Sequence, residues 1–465
     1  MSFRYLAGYI TESYNPLKVP NAPTLGTVTP ASGQVTVAFT APSNVGGGAI
    51  TSYTVIVTDS SSGATFSGTG ASSPIVVTGL TNGNTYTAKV FATNAYGPSA
   101  FSTPSGSFSY APKLFTWGNN NDGELGQNDI VLRSSPVQVG SSTDWNVVNS
   151  ADASMAGVKT NGTLWTWGRN QFGELGQNLD SSVKRSSPTQ VGALTTWSSL
   201  GAAKQSIYAI KTDGTLWAWG YNNYGQLGQN NKTNVSSPVQ VGSLTNWAKV
   251  SPYAQDNALF IKTDGTLWAL GYNFYGQLGD NSIIARSSPV QIGADTNWSQ
   301  VATDESTIAL KTNGTIWAWG NNSHGQLGQN DTIRRSSPVQ VGALTTWTYV
   351  ATALETTFAL KTDGTLWAWG WANDGVLGNN DANTSYSSPI QIGALTNWSK
   401  IAAAGSGTAG AVKTDGTIWM WGSNYFGNLG QNNVILRSSP VQVGTGSSWS
   451  SISVSPYITS AITSS

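Results

Sequence analysis

A Gly-x-Leu-Gly element recurs at Gly123, Gly173, Gly225, Gly276, Gly325, Gly375 and Gly427, so successive copies stand 50, 52, 51, 49, 50 and 52 residues apart. A fixed period of this length means stacked supersecondary units, each too small to bury its own apolar face. Seven copies is also a number of blades that closes a propeller. The unit is clearest from Lys211 to Trp247, KTDGTLWAWGYNNYGQLGQNNKTNVSSPVQVGSLTNW.

The repeat accounts for the tryptophans, of which there are 20, none of them in the first 112 residues. One set follows the Ser-Ser-Pro segment (Trp145, Trp197, Trp247, Trp298, Trp347, Trp398, Trp449). A second precedes glycine (Trp117, Trp167, Trp219, Trp319, Trp369, Trp421), with Leu270 in the fourth copy. A third lies two residues earlier (Trp165, Trp217, Trp268, Trp317, Trp367, Trp419), with Phe115 in the first copy, and only Trp371 is left over. Rings at fixed repeat positions read as packing residues, because each buries a large apolar area.

Within Thr215 to Trp219 the two rings share one strand face while Leu216 and Ala218 share the other. Both faces are apolar, as in a strand sandwiched between neighbouring sheets. The preceding Asp-Gly or Asn-Gly pair, from Asn161-Gly162 to Asp415-Gly416, predicts a hairpin with a tight primed turn. The stretch between Gly-x-Leu-Gly and Ser-Ser-Pro reads as a loop. Copy one opens at Lys113 without the strand that should precede it, and the chain ends in SSISVSPYITSAITSS after Trp449, which resembles that missing half-unit. A C-terminal strand would complete the first blade and remove an exposed edge. A closed seven-bladed ring is therefore expected over residues 113–465.

On these motifs the repeat resembles the regulator of chromosome condensation family, whose propellers carry Asp-Gly, then Trp-Gly-x-Asn-x-x-Gly-x-Leu-Gly. The resemblance implies the propeller fold. It does not carry one function, since the family includes a nuclear exchange factor, a plant ultraviolet photoreceptor and bacterial inhibitors that bind enzymes through one face, and such scaffolds host unrelated activities. Many members have a histidine five residues before the Lys-Thr-Asp-Gly lysine. Here Ser154, Ser206, Asn257, Ser306, Thr356 and Thr408 stand there. No basic arm of the chromatin-binding kind is present, and the tryptophans sit at repeat positions rather than in a surface cluster. Exchange, chromatin binding and light sensing are therefore not expected.

Residues 21–108 read as a second domain. Val35, Val37 and Phe39 alternate, as do Tyr53, Val55 and Val57. The segment from Leu80 through Tyr86 to Gly97 resembles a fibronectin type III module, with Tyr86 as its tyrosine corner. The fold class expected is all-β: an N-terminal fibronectin type III-like β-sandwich, then the closed propeller. Residues 1–20 read as an arm and 109–112 as a linker.

Lys and Arg number 22 against 22 Asp and Glu, and charged residues make up only 9% of the chain. Zero net charge leaves no electrostatic footprint for nucleic acid. No apolar run is long enough to span a bilayer, so membrane insertion is not expected. The start lacks a cationic stretch followed by a sustained apolar run, and a cleaved secretory signal is not expected. With no cysteine there is no thiolate chemistry. The sole histidine, His324, holds a variable position occupied by Phe172, Tyr224, Tyr275 and Phe426 in other copies, and reads as a turn residue rather than a general base. Asn119 to Gly123 lacks the later bidentate glutamate of a calcium loop. No catalytic residue, cofactor or metal site is expected.

The residues that change between copies follow the linker tryptophan. Lys204, Gln205, Tyr253, Gln255, Asp304, Glu305, Glu355 and Tyr457 lie at equivalent points of different units, and a constant scaffold with changing side chains is how repeat proteins present a binding face. The reading is a non-enzymatic virion surface or adhesion protein of a bacteriophage: a tail fibre, receptor-binding protein or capsid decoration. It would bind a host surface protein or glycan through the propeller, and other virion proteins through the arm or the fibronectin-like domain. The alternative is a protein-binding propeller at a bacterial surface or outside the cell, acting as an inhibitor or interaction scaffold.

Overall fold

A computed structural model describes residues 17–464 except 32, 252, 354, 406 and 447, and, for Tyr253 and Ala254, the backbone only. The chain divides between Ala111 and Pro112 into two units. The first is a sandwich of two antiparallel sheets. One holds Thr24–Ala31, Gln34–Thr40 and Ile75–Thr78, and the other Thr65–Gly70, Ile50–Asp59, Tyr86–Asn94 and Gly97–Pro98. Alternation places Val35, Val37 and Phe39 against Tyr53, Val55 and Val57 in one core. The Phe39 and Tyr53 rings lie 4.8 Å apart. The Tyr86 hydroxyl accepts from the Thr81 N–H at 2.8 Å and donates back to the Thr81 carbonyl, which is the tyrosine corner.

Two boundaries differ from expectation. Within the arm, residues 17–20 belong to the sandwich: the Lys18 N–H donates to Gly46, Asn94 donates to the Lys18 carbonyl, and Pro20 is buried. Residues 1–16 lie outside the described residues. The linker is shared out too, since Tyr110 accepts from the Gly83 N–H in the first unit while Pro112 accepts from the Trp145 N–H in the second. The last edge of the sandwich runs with a period of three. Ser99, Ser102 and Ser105 each donate their N–H to the neighbouring strand, and each hydroxyl accepts that strand's N–H in place of a carbonyl.

The second unit is a ring of seven antiparallel sheets of four strands each. In the third blade the strands are Trp197–Ala203, Ser206–Lys211, Leu216–Gly220 and Val235–Gln240, in that order, and Tyr253–Ala254 from the next blade adds a short parallel pairing. The first blade closes the ring. It joins Trp449–Val454 and Ile458–Thr463 from the end of the chain to Leu114–Gly118 and Arg133–Gln138 from the start of the repeat array. Ile458 pairs with Gly118 and Ile462 with Leu114. The edge that Leu114–Gly118 would otherwise expose is thereby covered. The first strands of all seven blades line a cavity of about 230 Å³ on the ring axis, with Val147, Val250, Gln300, Tyr349 and Ile452 among its walls.

The third strand of each blade is buried on both faces. Trp217 and Trp219 pack toward the second blade, Leu216 and Ala218 toward the fourth. The tryptophan before glycine also ties its blade to the one before it in every blade but the fourth. Trp167 donates its ring N–H to the Glu124 carbonyl at 2.8 Å, Trp319 to Gln277 at 2.9 Å and Trp421 to Val376 at 2.7 Å. In the fourth blade Leu270 has no donor, and the carbonyl it would have met, that of Gln226, accepts instead from the buried Tyr208 hydroxyl at 2.8 Å. Tyr208→Phe should therefore leave a buried carbonyl unpaired and lower stability by about 1–3 kcal/mol in a urea melt. A variant that unfolds like the parent would show that the carbonyl finds another donor.

The hairpin turns correct the primed-turn expectation. Gly214 has φ +77°, but Asp213 is not in the left-handed region. The Gly214 N–H donates to Lys211 and the Lys211 N–H to Thr215, a type I turn followed by a glycine bulge. The Asp213 carboxylate selects this form, accepting from both the N–H and the hydroxyl of Thr215, and Trp217 donates in turn to that hydroxyl. A Cβ on Gly214 would run into the Thr245 carbonyl. Lys211 lies over the Trp217 ring at 3.6 Å, and the arrangement recurs in other blades.

Candidate partner-binding face

Each blade has two connections on the same side of the ring: the turn between its first and second strands, and the long loop after its third. Antiparallel pairing forces this, since Ser206, which opens the second strand, sits opposite Gly220, which ends the third. The two connections are bonded to each other in every blade. Tyr221 donates its N–H to the Gln205 carbonyl at 2.9 Å, Tyr272 to Asp256, Asn321 to Glu305, Trp371 to Glu355 and Asn119 to Tyr457. Neighbouring turns are bonded as well, Asp152 N–H to Lys204 and Lys204 N–H to Gln255. The variable residues thus form one ring on a backbone that the repeat holds fixed.

Lys204, Gln205 and Gln255 are half-buried on this face. Glu305 accepts from Asn321 at 3.0 Å, and burial raises its carboxyl above the usual range. Glu355 accepts from Ser323 at 3.3 Å and lies 3.1 Å from Nδ1 of His324. The Tyr457 ring stands edge-on to Phe426 at 5.2 Å. Tyr253 pairs with Ala202 through its backbone, and its side chain lies outside the described residues. Asp304 departs from the expectation of a contact residue. It is 0% exposed, so it lies beneath the face rather than on it. Neither of its oxygens makes a hydrogen bond of good geometry, although the Gln255 side chain faces it. Burial, with the Glu305 charge next, pushes its carboxyl up to about 8, and burial raises Asp256 to about 6 against the pull of Lys204.

Sequence reading missed a second ring. The residue after the Trp-Gly glycine and those two and three places further on also vary, and the turn-to-loop bonds bring them to this face. The third of these positions in one blade meets the first in the next. Phe172 packs on Tyr221 at 4.8 Å, Tyr224 on Tyr272 at 4.9 Å and His324 on Trp371 at 5.3 Å. The otherwise unassigned Trp371 thereby finds its place. The signal was present as variability beside an invariant motif, but only the stacking of successive blades makes these residues neighbours. Among the described residues no group of three or more Asp, Glu, His or Cys is placed to hold a metal ion. Among the same residues no helix is long and apolar enough to cross a membrane.

The model of the regulator of chromosome condensation (RCC1) repeat matches residues 113–151, 161–203, 213–251, 264–305, 313–360, 363–411 and 415–462. The chain belongs to the RCC1 repeat family. The fibronectin type III model matches residues 21–107. Among solved structures the RCC1 propeller is similar to human WBSCR16, at 19% identity and a TM-score of 0.68, over 76% of this chain and 99% of that one. It is similar to Prp20p of Saccharomyces cerevisiae, described with its binding to Gsp1p and histones, at 18% identity and a TM-score of 0.68 over 76% and 92%. It is also similar to yeast RCC1 (Prp20) bound to Kap60, at 16% identity and a TM-score of 0.67 over 76% and 89%. At these identities the likeness establishes the fold.

Proposed function

We propose that the chain is a non-enzymatic binding protein whose RCC1 propeller engages a partner through the face that carries the variable turns and loops, and that it serves as a virion surface or adhesion component of a bacteriophage. The observation that carries the binding reading is the concentration of variable residues on one side of an otherwise constant ring. Yeast Prp20, similar in fold, is described with protein partners. A fibronectin type III module as a separate unit, a charged fraction of 9% and a cysteine-free chain support the virion reading. In it the first unit attaches to other virion proteins and the propeller meets a host protein or glycan.

Gln205→Ala, Gln255→Ala and Tyr457→Ala combined should reduce adsorption to the host surface at least tenfold with little change in melting, since a few exposed side chains dominate an interface. Leu244→Ala with Leu344→Ala, exposed on the opposite side, should leave adsorption unchanged. Equal loss in both variants would contradict a one-sided site. Immunogold labelling of purified particles tests location: label confined to the cell fraction would remove the virion reading and favour an inhibitor or interaction scaffold.

A further inference from the structure

The aromatic side chains on the variable face are not evenly spread. From Phe172 the rings run without a break through Tyr221, Tyr224 and Tyr272 to Tyr275, crossing from the second blade to the fourth at centroid spacings of 4.8, 6.4, 4.9 and 6.4 Å. All are partly exposed, and Phe274 beside them is 57% exposed. Charge is uneven too. The turns beside this arc and on its far side bring Asp256, Glu305 and Glu355 to the face, with Asp152 and Asp304 buried beneath, against Lys204 and Arg334. Arg169, at the near end, is answered by Glu174 at 3.7 Å. A chain of zero net charge therefore gathers an acidic excess along one aromatic track.

One cation already occupies this track. The exposed Arg334 from the fifth blade holds its guanidinium over the Tyr275 ring at 4.8 Å. Ring faces carry negative quadrupolar charge and attract guanidinium and ammonium groups, the more so with carboxylates nearby. A neutral sugar could stack on the rings and donate hydroxyls to the carboxylates, but it brings no positive charge to offset theirs.

Resting on the binding-face reading above, we propose that the arc from Phe172 to Tyr275 is the docking track for an arginine-rich or lysine-rich segment of the partner protein, whose cations stack on the tyrosines and face Asp256 and Glu305. Burial raises both half-buried carboxyls above the usual range, and an incoming cation would favour their charged form.

Calorimetric titration of the full chain with a short arginine–serine peptide, its citrulline counterpart and a neutral linear oligosaccharide tests this. The arginine peptide should bind, the citrulline peptide at least tenfold more weakly, with affinity falling as salt is raised. Tyr224→Ala with Tyr272→Ala should weaken it about tenfold, and Glu305→Gln, which keeps the bond from Asn321, should reduce the salt dependence without altering the melt. Equal binding of arginine and citrulline peptides, unchanged binding by the tyrosine variant, or no binding of the arginine peptide overturns the proposal. Tyrosine-dependent binding of the oligosaccharide alone also overturns it while leaving the binding-face reading intact.

Discussion

Replacing Asp304 with asparagine is expected to raise the melting temperature at pH 9 by roughly 6–8 °C and to change it little at pH 4. The unfolded carboxyl titrates near 3.8, whereas burial lifts the folded one to about 8. Between those values the folded chain holds a proton that the unfolded chain has released, so stability is highest at the acid end of the window and falls as pH rises toward 8. Each unit of difference is worth about 1.4 kcal/mol, which makes this the largest single pH effect expected in the propeller, and Asp256 adds a smaller fall that ends near 6. The opposite limb comes from Asp213, Asp264, Asp363 and Asp415. Their bonds from threonine hold them below the usual range, so their contribution is lost only as pH falls below the unfolded value. Stability should therefore peak near pH 4–5. An asparagine variant with an unchanged pH profile would show that Asp304 is ionised in the folded state and has found a partner.

Much of the fold was legible because the repeat imposes it. The Gly-x-Leu-Gly spacing, the two-sided apolar strand and the half-unit at each end point to a closed ring, and the pairing of Ile458–Thr463 with Leu114–Gly118 bears this out. Tyr86 was readable as a corner because its partner, Thr81, lies only five residues away. The turn expectation failed where a side chain redirected the backbone. Asp213 accepts from Thr215 and converts an expected primed turn into a type I turn with a bulge. Tyr208 meets the Gln226 carbonyl within the third blade, the bond that Leu270 of the fourth cannot make, and the repeat pattern alone does not show it.

The candidate face was legible in outline and not in relief. Residues that vary after the linker tryptophan share one side, as equivalent positions of a closed ring must. Their depth was hidden, because burial depends on the neighbouring turn: Glu305 reaches the face while Asp304, one residue before it, is sealed beneath. The tyrosine track was hidden for a related reason. Tyr224 and Tyr272 are 48 residues apart in sequence and touch only because successive blades stack.

A complete ring of variable turns on one face requires closure by the last strand. Deleting Ser450 to Ser465 removes Ile452, Val454, Ile458, Ala461 and Ile462, all but Ile452 buried, and bares the edge of Leu114–Gly118. At about 1.5–3 kcal/mol for each large apolar side chain the loss is roughly 5–10 kcal/mol. The direct measurement is a thermal melt of the deleted chain, alone and with a synthetic peptide spanning residues 448–465. A closed ring predicts a fall of about 10 °C or more, or aggregation through the open edge, with recovery when the peptide refills the first blade. A deleted chain that melts within about 2 °C of the parent, unaffected by the peptide, would contradict closure.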